Sequence, residues 1–495
     1  MESEIYKQIS GVYNNIIAKS IFFIMMSYNT IVTITDFFFQ YQLSILCVTT
    51  AALTTATSSI MMWGAIISFL ISISAPYINQ KISPQTQGLI APISLMILTV
   101  VFFSLILFPT QCALLLAMLG LHNVNILLLS CIIGATIDTL QKSFRYSIMD
   151  VFNLKVWNKV DESKRSDLTA TTNMYSNRPI KGLVSGIVLL LIAISINQSL
   201  ISTAWIMPII IGLAFWAWIS SVKRVSNGLQ QNIVEKSVPM VDMLKNEKLW
   251  IMMGICLMLI FGITFLSVLK TSLVIGAAGP ESLIWLKALI IPVIFSAHWL
   301  VNKVKEKYKK NTFYALVILA NIFFIIFAVL FPYGNLMHAM LFSLASLPAG
   351  LGGVFNFWLF STFFIFAEIW TVVALDVLYY PLQNSVFKKE ELNTSIPIIA
   401  AACCISQLIA SALTSAMGSL GLSTGSMLWL LAGAFLLTTV VSLVCYRVAE
   451  KKGIIITGDK NQENSESLKG TNLEKVDSNV GLKHEISPHL QAVQP

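Results

Sequence analysis

The chain has 495 residues, of which 56% are hydrophobic and only 11% are charged, and its formal net charge is +8. A soluble globular protein carries about 25% charged residues, and folding this chain in water would leave far too much apolar surface exposed. That excludes a water-soluble enzyme. The apolar residues fall in blocks of about 20, the length that crosses roughly 30 Å of hydrocarbon as a helix, so the expected fold is an all-α polytopic membrane protein.

In chain order, residues 1–19 predict a short amphipathic helix ahead of a retained first span. They carry Glu2 and Glu4 and lack a signal-peptide cleavage pattern. Twelve spans follow, at about 20–41, 58–78, 88–108, 125–149, 172–196, 199–221, 249–271, 281–301, 312–333, 351–383, 395–417 and 425–446. The fourth and tenth are long and contain ionisable residues. A polar linker, 222–248, separates a first six-helix bundle (1–221) from a second (249–447). Two such bundles around a central cavity make the major-facilitator-like plan, with the site near the midplane between them. The tail, 448–495, is rich in Ser, Asn, Glu and Lys and reads as a disordered cytoplasmic segment.

The loops divide by charge. Lys81, the cluster Lys155, Lys159, Lys164 and Arg165, the linker bases from Lys223 to Lys248, the run Lys303–Lys310, and Lys388 with Lys389 all fall on the side of the termini. The loops 43–57, 109–124 and 334–350 contain no Lys or Arg. By the positive-inside rule, both termini are cytoplasmic and the protein is multi-pass in the cytoplasmic (inner) membrane. The net charge therefore reflects orientation, and no nucleic-acid partner is expected. The expected surroundings are membrane lipids. The seven cysteines lie mostly in apolar segments without a metal-like spacing and read as small core residues. No cofactor is expected.

Ionisable residues inside spans are the strongest functional signal, because a charge at the bilayer centre costs about 2.5–3.5 kcal/mol on insertion scales. The first bundle offers Asp36, Asp138, Lys142, Arg145, Arg178 and Lys181, and the second offers Lys270, Lys287, Glu368 and Asp376. Asp138, Lys142 and Arg145 share one helix face by their spacing. These groups have two readings. They are inter-helix salt bridges and snorkelling residues, or they line a substrate and coupling path. For Lys270 and Glu368, deep in their spans, the path reading is preferred. Several bases facing one cavity suit a polyanion, with Arg as a fork and Lys as a point charge. A phosphate-loop motif G-x-x-x-x-G-K-[ST] is absent from the sequence, so transport would be secondary rather than ATP-driven. The glycines Gly350, Gly352 and Gly353 predict close helix packing or a break. The aromatic residues Phe37–Phe39 and Trp358 read as packing.

The runs KTSLV (270–274), WLKALIIP (285–292) and FAEIW (366–370), with YYPLQN (379–384), resemble the ATP:ADP antiporter family of plastids and obligate intracellular bacteria. The similarity covers about 180 residues of the second bundle. In the first bundle LQKSFRYSIMD (140–150), SNRPIKG (176–182) and ITDFFFQ (34–40) are similar to motifs of the family's second half, so the halves stand in swapped order. The resemblance implies nucleotide transport by one Lys and one Glu in each half. Carried over, these are Lys270 and Glu368, with Arg145 for Lys and Asp36 for Glu in the other half. Lys287, Arg178, Lys181 and Asn384 join them as substrate-binding candidates, and Asp376 and Asp138 as proton-coupling candidates. Thr271 stands where the family has Asp. ATP/ADP exchange by a monomer is the first expectation. Proton-coupled net nucleotide import and a carrier of another organic anion are the alternatives, and a non-transporting scaffold is a further class.

Overall fold

The computed structural model describes residues 15–47, 49–121, 124–144, 204–226, 238–308, 311–334, 350–420 and 424–454, with isolated positions between 148 and 191. The first bundle contributes α1 (Ile16–Leu46), α2 (Thr50–Lys81), α3 (Pro84–Leu107), α4 (Pro109–Met118), α5 (Ile126–Phe144) and α6 (Met207–Ser226). After the short α7 (Met240–Leu244) come α8 (Glu247–Ala278), α9 (Glu281–Tyr308) and α10 (Thr312–Leu330). The chain continues with α11 (Leu351–Asn356), α12 (Trp358–Val372), a π-helical segment (Val373–Tyr379), α13 (Tyr380–Val386), α14 (Lys389–Ser419) and α15 (Thr424–Lys451). Eleven of the twelve expected spans fall wholly or in part on these helices. The fifth, 172–196, lies largely outside the described residues. Among the described residues, nine helices are long and apolar enough to cross a membrane.

Local chemistry sets the helix ends. The Asn15 side chain accepts from Ile17 N and Ala18 N at 2.9 and 3.1 Å, capping α1. Asn246 caps α8 in the same way through Lys248 N. Gly279 (φ +83°) ends α8 in a backbone conformation that favours glycine, and Pro280 then bars continuation. Inside the spans, hydroxyls return to their own helix: Thr33 donates to Asn29 O, Thr35 to Ile31 O and Ser104 to Val100 O. In hydrocarbon that satisfies groups with no water to bond.

Two departures from the expected spans have clear causes. The loop expected at 109–124 contains the helix α4, which Pro109 opens at its first position. The expected tenth span, 351–383, is not one helix. It breaks at Phe357 (φ −108°, ψ +42°) and passes through the π segment before Pro381. The π segment carries Asp376. Single π turns inside α-helices occur frequently at functional sites.

Buried apolar side chains gather in two clusters. One is built mainly from α1, α3, α5 and α6, with Leu283, Ile284 and Leu286 of α9. The other is built from α8, α10, α12, α14 and α15. The most extensive helix pairing among the described residues is α2 against α14, where one bundle meets the other. Small residues recur among the buried positions of both helices: Thr54, Ser58, Ala65, Ser68 and Ala75 on α2, and Ala402, Ala410, Ser411 and Thr414 on α14. Small side chains let two helices approach closely in a membrane. The outer faces, such as Ile97 and Val100 on α3, Leu213 and Trp216 on α6, and Leu437 and Val440 on α15, are exposed and apolar, as lipid contact requires.

The glycine cluster acts where α11 begins. Gly350 (φ +84°) and Gly353 press on the α8–α9 corner. A Cβ on Gly350 would lie 2.7 Å from the Glu281 carbonyl carbon, and one on Gly353 would lie 2.7 Å from Ala278 O. Ser282 fastens this corner, within hydrogen-bond reach of both Ala278 O at 2.6 Å and Gly350 O at 3.0 Å. The corner sets the depth of α9, and hence of Lys287.

Candidate functional site

A cavity of about 230 Å³ lies between the bundles. Its walls come from α1, α2 and α5 on one side and α8, α9 and α12 on the other. At about 30 Å³ per water that space holds on the order of eight waters, enough to hydrate charge within the membrane.

Five ionisable side chains line it among the described residues: Asp36, Asp138, Lys270, Lys287 and Glu368. Lys270 on α8 places Nζ 2.5 Å from Glu368 Oε1 on α12, and both residues are buried at 6% and 7% exposure. Phe364, one turn before Glu368, puts its ring centroid 5.4 Å from the same ammonium, within cation–π range. Lys287 on α9 places Nζ 2.6 Å from Asp36 Oδ2 on α1, and Phe37 lies 4.6 Å from it. Gln40, one turn after Asp36, donates to Asp36 Oδ1 at 3.4 Å. One ion pair thus lies within the second bundle, and the other joins the two bundles.

The charges rest on geometry visible one turn at a time. Ser267 precedes Lys270 by three residues, and Thr371 follows Glu368 by three. Both line the cavity with Thr271 and Thr57. Thr271 was singled out in the sequence; Ser267 and Thr371 were missed there, although their three-residue spacing from Lys270 and Glu368 marked them. The salt-bridge reading and the cavity reading apply to the same residues, because each ammonium is paired and also faces the cavity.

Not every expected residue is brought there. Arg145, Arg178 and Lys181 lie outside the described residues. Lys142, Asp376 and Asn384 lie on described helical segments, but their side chains are outside the described residues. The pairing of Asp36 with Lys287 was not anticipated, since nothing in a linear pattern relates α1 to α9.

Helices closed around a charged cavity between two bundles define a multi-pass helical membrane protein of the major-facilitator-like type. A family model described as "TLC ATP/ADP transporter" matches residues 5–229 and 231–487. The chain belongs to that family. It is similar to ADP,ATP carrier protein 4 of Rickettsia prowazekii, at 31% identity over 144 residues, 26% of this chain and 27% of that protein. ADP,ATP carrier protein 3 of Rickettsia typhi is 27% identical over 168 residues, 31% of this chain and 33% of that protein. ADP,ATP carrier protein 1 of Chlamydia pneumoniae is 30% identical over 142 residues, 26% of this chain and 28% of that protein. The chain thus matches about a third or less of the length of these curated relatives. The crystal structure of a bacterial homologue of the iron transporter ferroportin, in its outward-facing state, superposes with a TM-score of 0.51 at 13% identity. It covers 87% of this chain and 99% of that one, a likeness of fold alone.

Proposed function

We propose that this chain is a secondary transporter of nucleotides that exchanges ATP and ADP across the cytoplasmic membrane. The observation that carries the reading is the doubled ammonium–carboxylate contact in one cavity, one pair inside a bundle and one joining the two. Membership of the TLC ATP/ADP transporter family supports the substrate class.

The chemistry follows from substitution of like for like. A phosphate oxygen replaces a carboxylate oxygen on an ammonium with the same charge-assisted geometry. In this reading Lys270 and Lys287 take phosphates, with Arg145 joining from the first bundle, while Glu368 and Asp36 hold the ammonium groups when no nucleotide is bound. A phosphate on Lys287 releases Asp36 and removes the ionic link between the bundles. Loading and rearrangement are then one event. An unloaded carrier relocks its own pairs and does not reorient, which is the requirement for exchange.

One observation favours the second reading, proton-coupled net import. Asp138 adds a third carboxylate to the cavity, against two ammonium groups among the described residues. A protonatable Asp138, or Asp376 on the π segment, would compensate the anion's charge. The Lys-rich loops on the side of both termini support a cytoplasmic location of those termini in the inner membrane. The cavity is formed within a single chain, so a monomer suffices.

Uptake of labelled ATP by intact bacteria expressing the chain tests the substrate. Under exchange, uptake resists a protonophore and external ADP chases the label out, whereas protonophore-sensitive uptake assigns net import. If no nucleotide enters while the protein is in the membrane, the nucleotide reading fails and a carrier of another organic anion takes its place.

A further inference from the structure

Helix α4 (Pro109–Met118) takes no part in the charged cavity. Its ten residues rise about 15 Å, half of what crosses the hydrocarbon. None of the ten is buried. The stretch of chain around it, 82–137, contains no Asp, Glu, Lys or Arg.

The sequence closes this helix at both ends. Pro109 opens it. After Leu119 the chain turns through Gly120 (φ +82°), with Gly120 N donating to Ala117 O at 3.0 Å and Leu121 N to Leu116 O at 2.9 Å. So short a helix is marginal in water on its own. Its two faces differ. Cys112, Leu116 and Ala117 are half-buried, and Cys112 Sγ donates to Ser104 O, in the last turn of α3, at 3.5 Å. Leu114, Leu115 and Met118 make the opposite face and are 59%, 61% and 85% exposed, and Leu119 and Leu121 beyond them are exposed too. Their positions, i, i+1 and i+4, form one apolar stripe. In water such a stripe would be a bare hydrophobic patch.

Two neighbouring helices fix its depth. α3 starts beside Lys81 and rises about 36 Å over its 24 residues, enough to reach the opposite surface of the membrane at Leu107. α6 starts on that surface and ends in Lys223 and Arg224. Where the two helices meet, Phe108 and Trp205 stand edge to face at 5.3 Å, both exposed. Exposed aromatic residues at helix ends mark the membrane–water interface. α4 leaves α3 at this level, directly after Phe108. Its bare stripe continues the exposed apolar face of α3, formed by Ile97, Val100 and Val101.

We infer that α4 is a monotopic helix seated in the lipid interface on the side away from the Lys-bearing loops, with Leu114, Leu115 and Met118 among the acyl chains. The partner is the apolar part of the bilayer. α4 carries no base that would select an anionic headgroup, so its seating is indifferent to lipid charge. Thr110 and Gln111, in its first turn, supply the polar contact with headgroups. The connection from α3 to α5 thus runs within the membrane surface rather than through water. The inference is independent of the nucleotide reading.

The test is photo-crosslinking of the full chain in phosphatidylcholine nanodiscs, with p-benzoylphenylalanine placed at position 118 and intact mass as the readout. Position 437, on the exposed apolar face of α15, is the lipid-facing standard, and position 388, an exposed lysine before α14, is the water-facing one. The expected result is a phospholipid adduct at 118 within about threefold of that at 437 and well above that at 388, unchanged when phosphatidylglycerol replaces half of the lipid. Position 115, on the same stripe, replaces 118 should that variant not purify as a single species. An adduct at 118 no greater than at 388 overturns the inference. So does an adduct formed only with the anionic lipid, or a doubled chain mass, which would make a second copy the occupant of the stripe.

Discussion

The buried pair Lys270–Glu368 makes the sharpest energetic prediction. Both residues are under a tenth exposed and in contact at 2.5 Å. Removing one member of such a pair leaves a desolvated charge, at a cost of about 3–5 kcal/mol. Replacing both with apolar groups of similar volume removes the desolvation penalty along with the attraction, and is often neutral or stabilising. Lys270→Met and Glu368→Leu should therefore each lower thermal stability strongly, and the double variant should recover most of the loss. The coupling should exceed the roughly 0.5 kcal/mol within which independent sites add by several-fold. The assay is the unfolding midpoint of the purified protein, followed by tryptophan fluorescence, with nucleotide uptake measured in parallel. Uptake should be lost in all three variants, because the double variant restores the fold but not the ammonium that the proposal assigns to phosphate. Single variants as stable as wild type, or a double variant that adds the two losses, would refute a desolvated pair. A double variant that transports normally would remove the pair from the site.

The remaining predictions concern the bundle link and the corner that positions it. Asp36→Asn leaves Lys287 without its charged partner across the bundles and should uncouple exchange, seen as nucleotide leaving loaded vesicles without a counter-substrate; tight exchange in that variant would argue against a gating role. Asp36→Glu keeps the charge with a longer reach and should retain exchange, so a dead Asp36→Glu variant would show that geometry outweighs charge. Gly353→Ala places a Cβ 2.7 Å from Ala278 O and 2.8 Å from Ser282 Oγ, and such overpacking costs about 1–3 kcal/mol, readable as a fall in unfolding midpoint. Gly350→Ala adds backbone strain at φ +84° to a 2.7 Å approach to Glu281 and should destabilise further; a variant as stable as wild type would mean the corner yields.

Much of the helical layout was visible in the chain because hydrocarbon imposes it. A span of about 20 apolar residues has no alternative to helix, since every backbone group must find its partner within the segment. Glu368 and Lys270 stood out for the same reason, as charges where charge is costly. The break at Phe357 and the π segment at 373–379 were hidden, since neither changes the apolar pattern, and the helix α4 was hidden because its ten residues are too short for a span. The link between Asp36 and Lys287 was out of reach, because 251 residues separate them and only packing of α1 on α9 joins them.

The central claim is that nucleotide and carboxylate compete for the same ammonium groups, so that the loaded carrier alone reorients. Its most direct measurement is uptake of labelled ATP by proteoliposomes containing the purified chain, half of them loaded with ADP and half empty. Rapid uptake into ADP-loaded vesicles, with little into empty ones, is the predicted result. Equal uptake into both, collapsing when the proton gradient is removed, would contradict exchange and leave proton-driven import as the function.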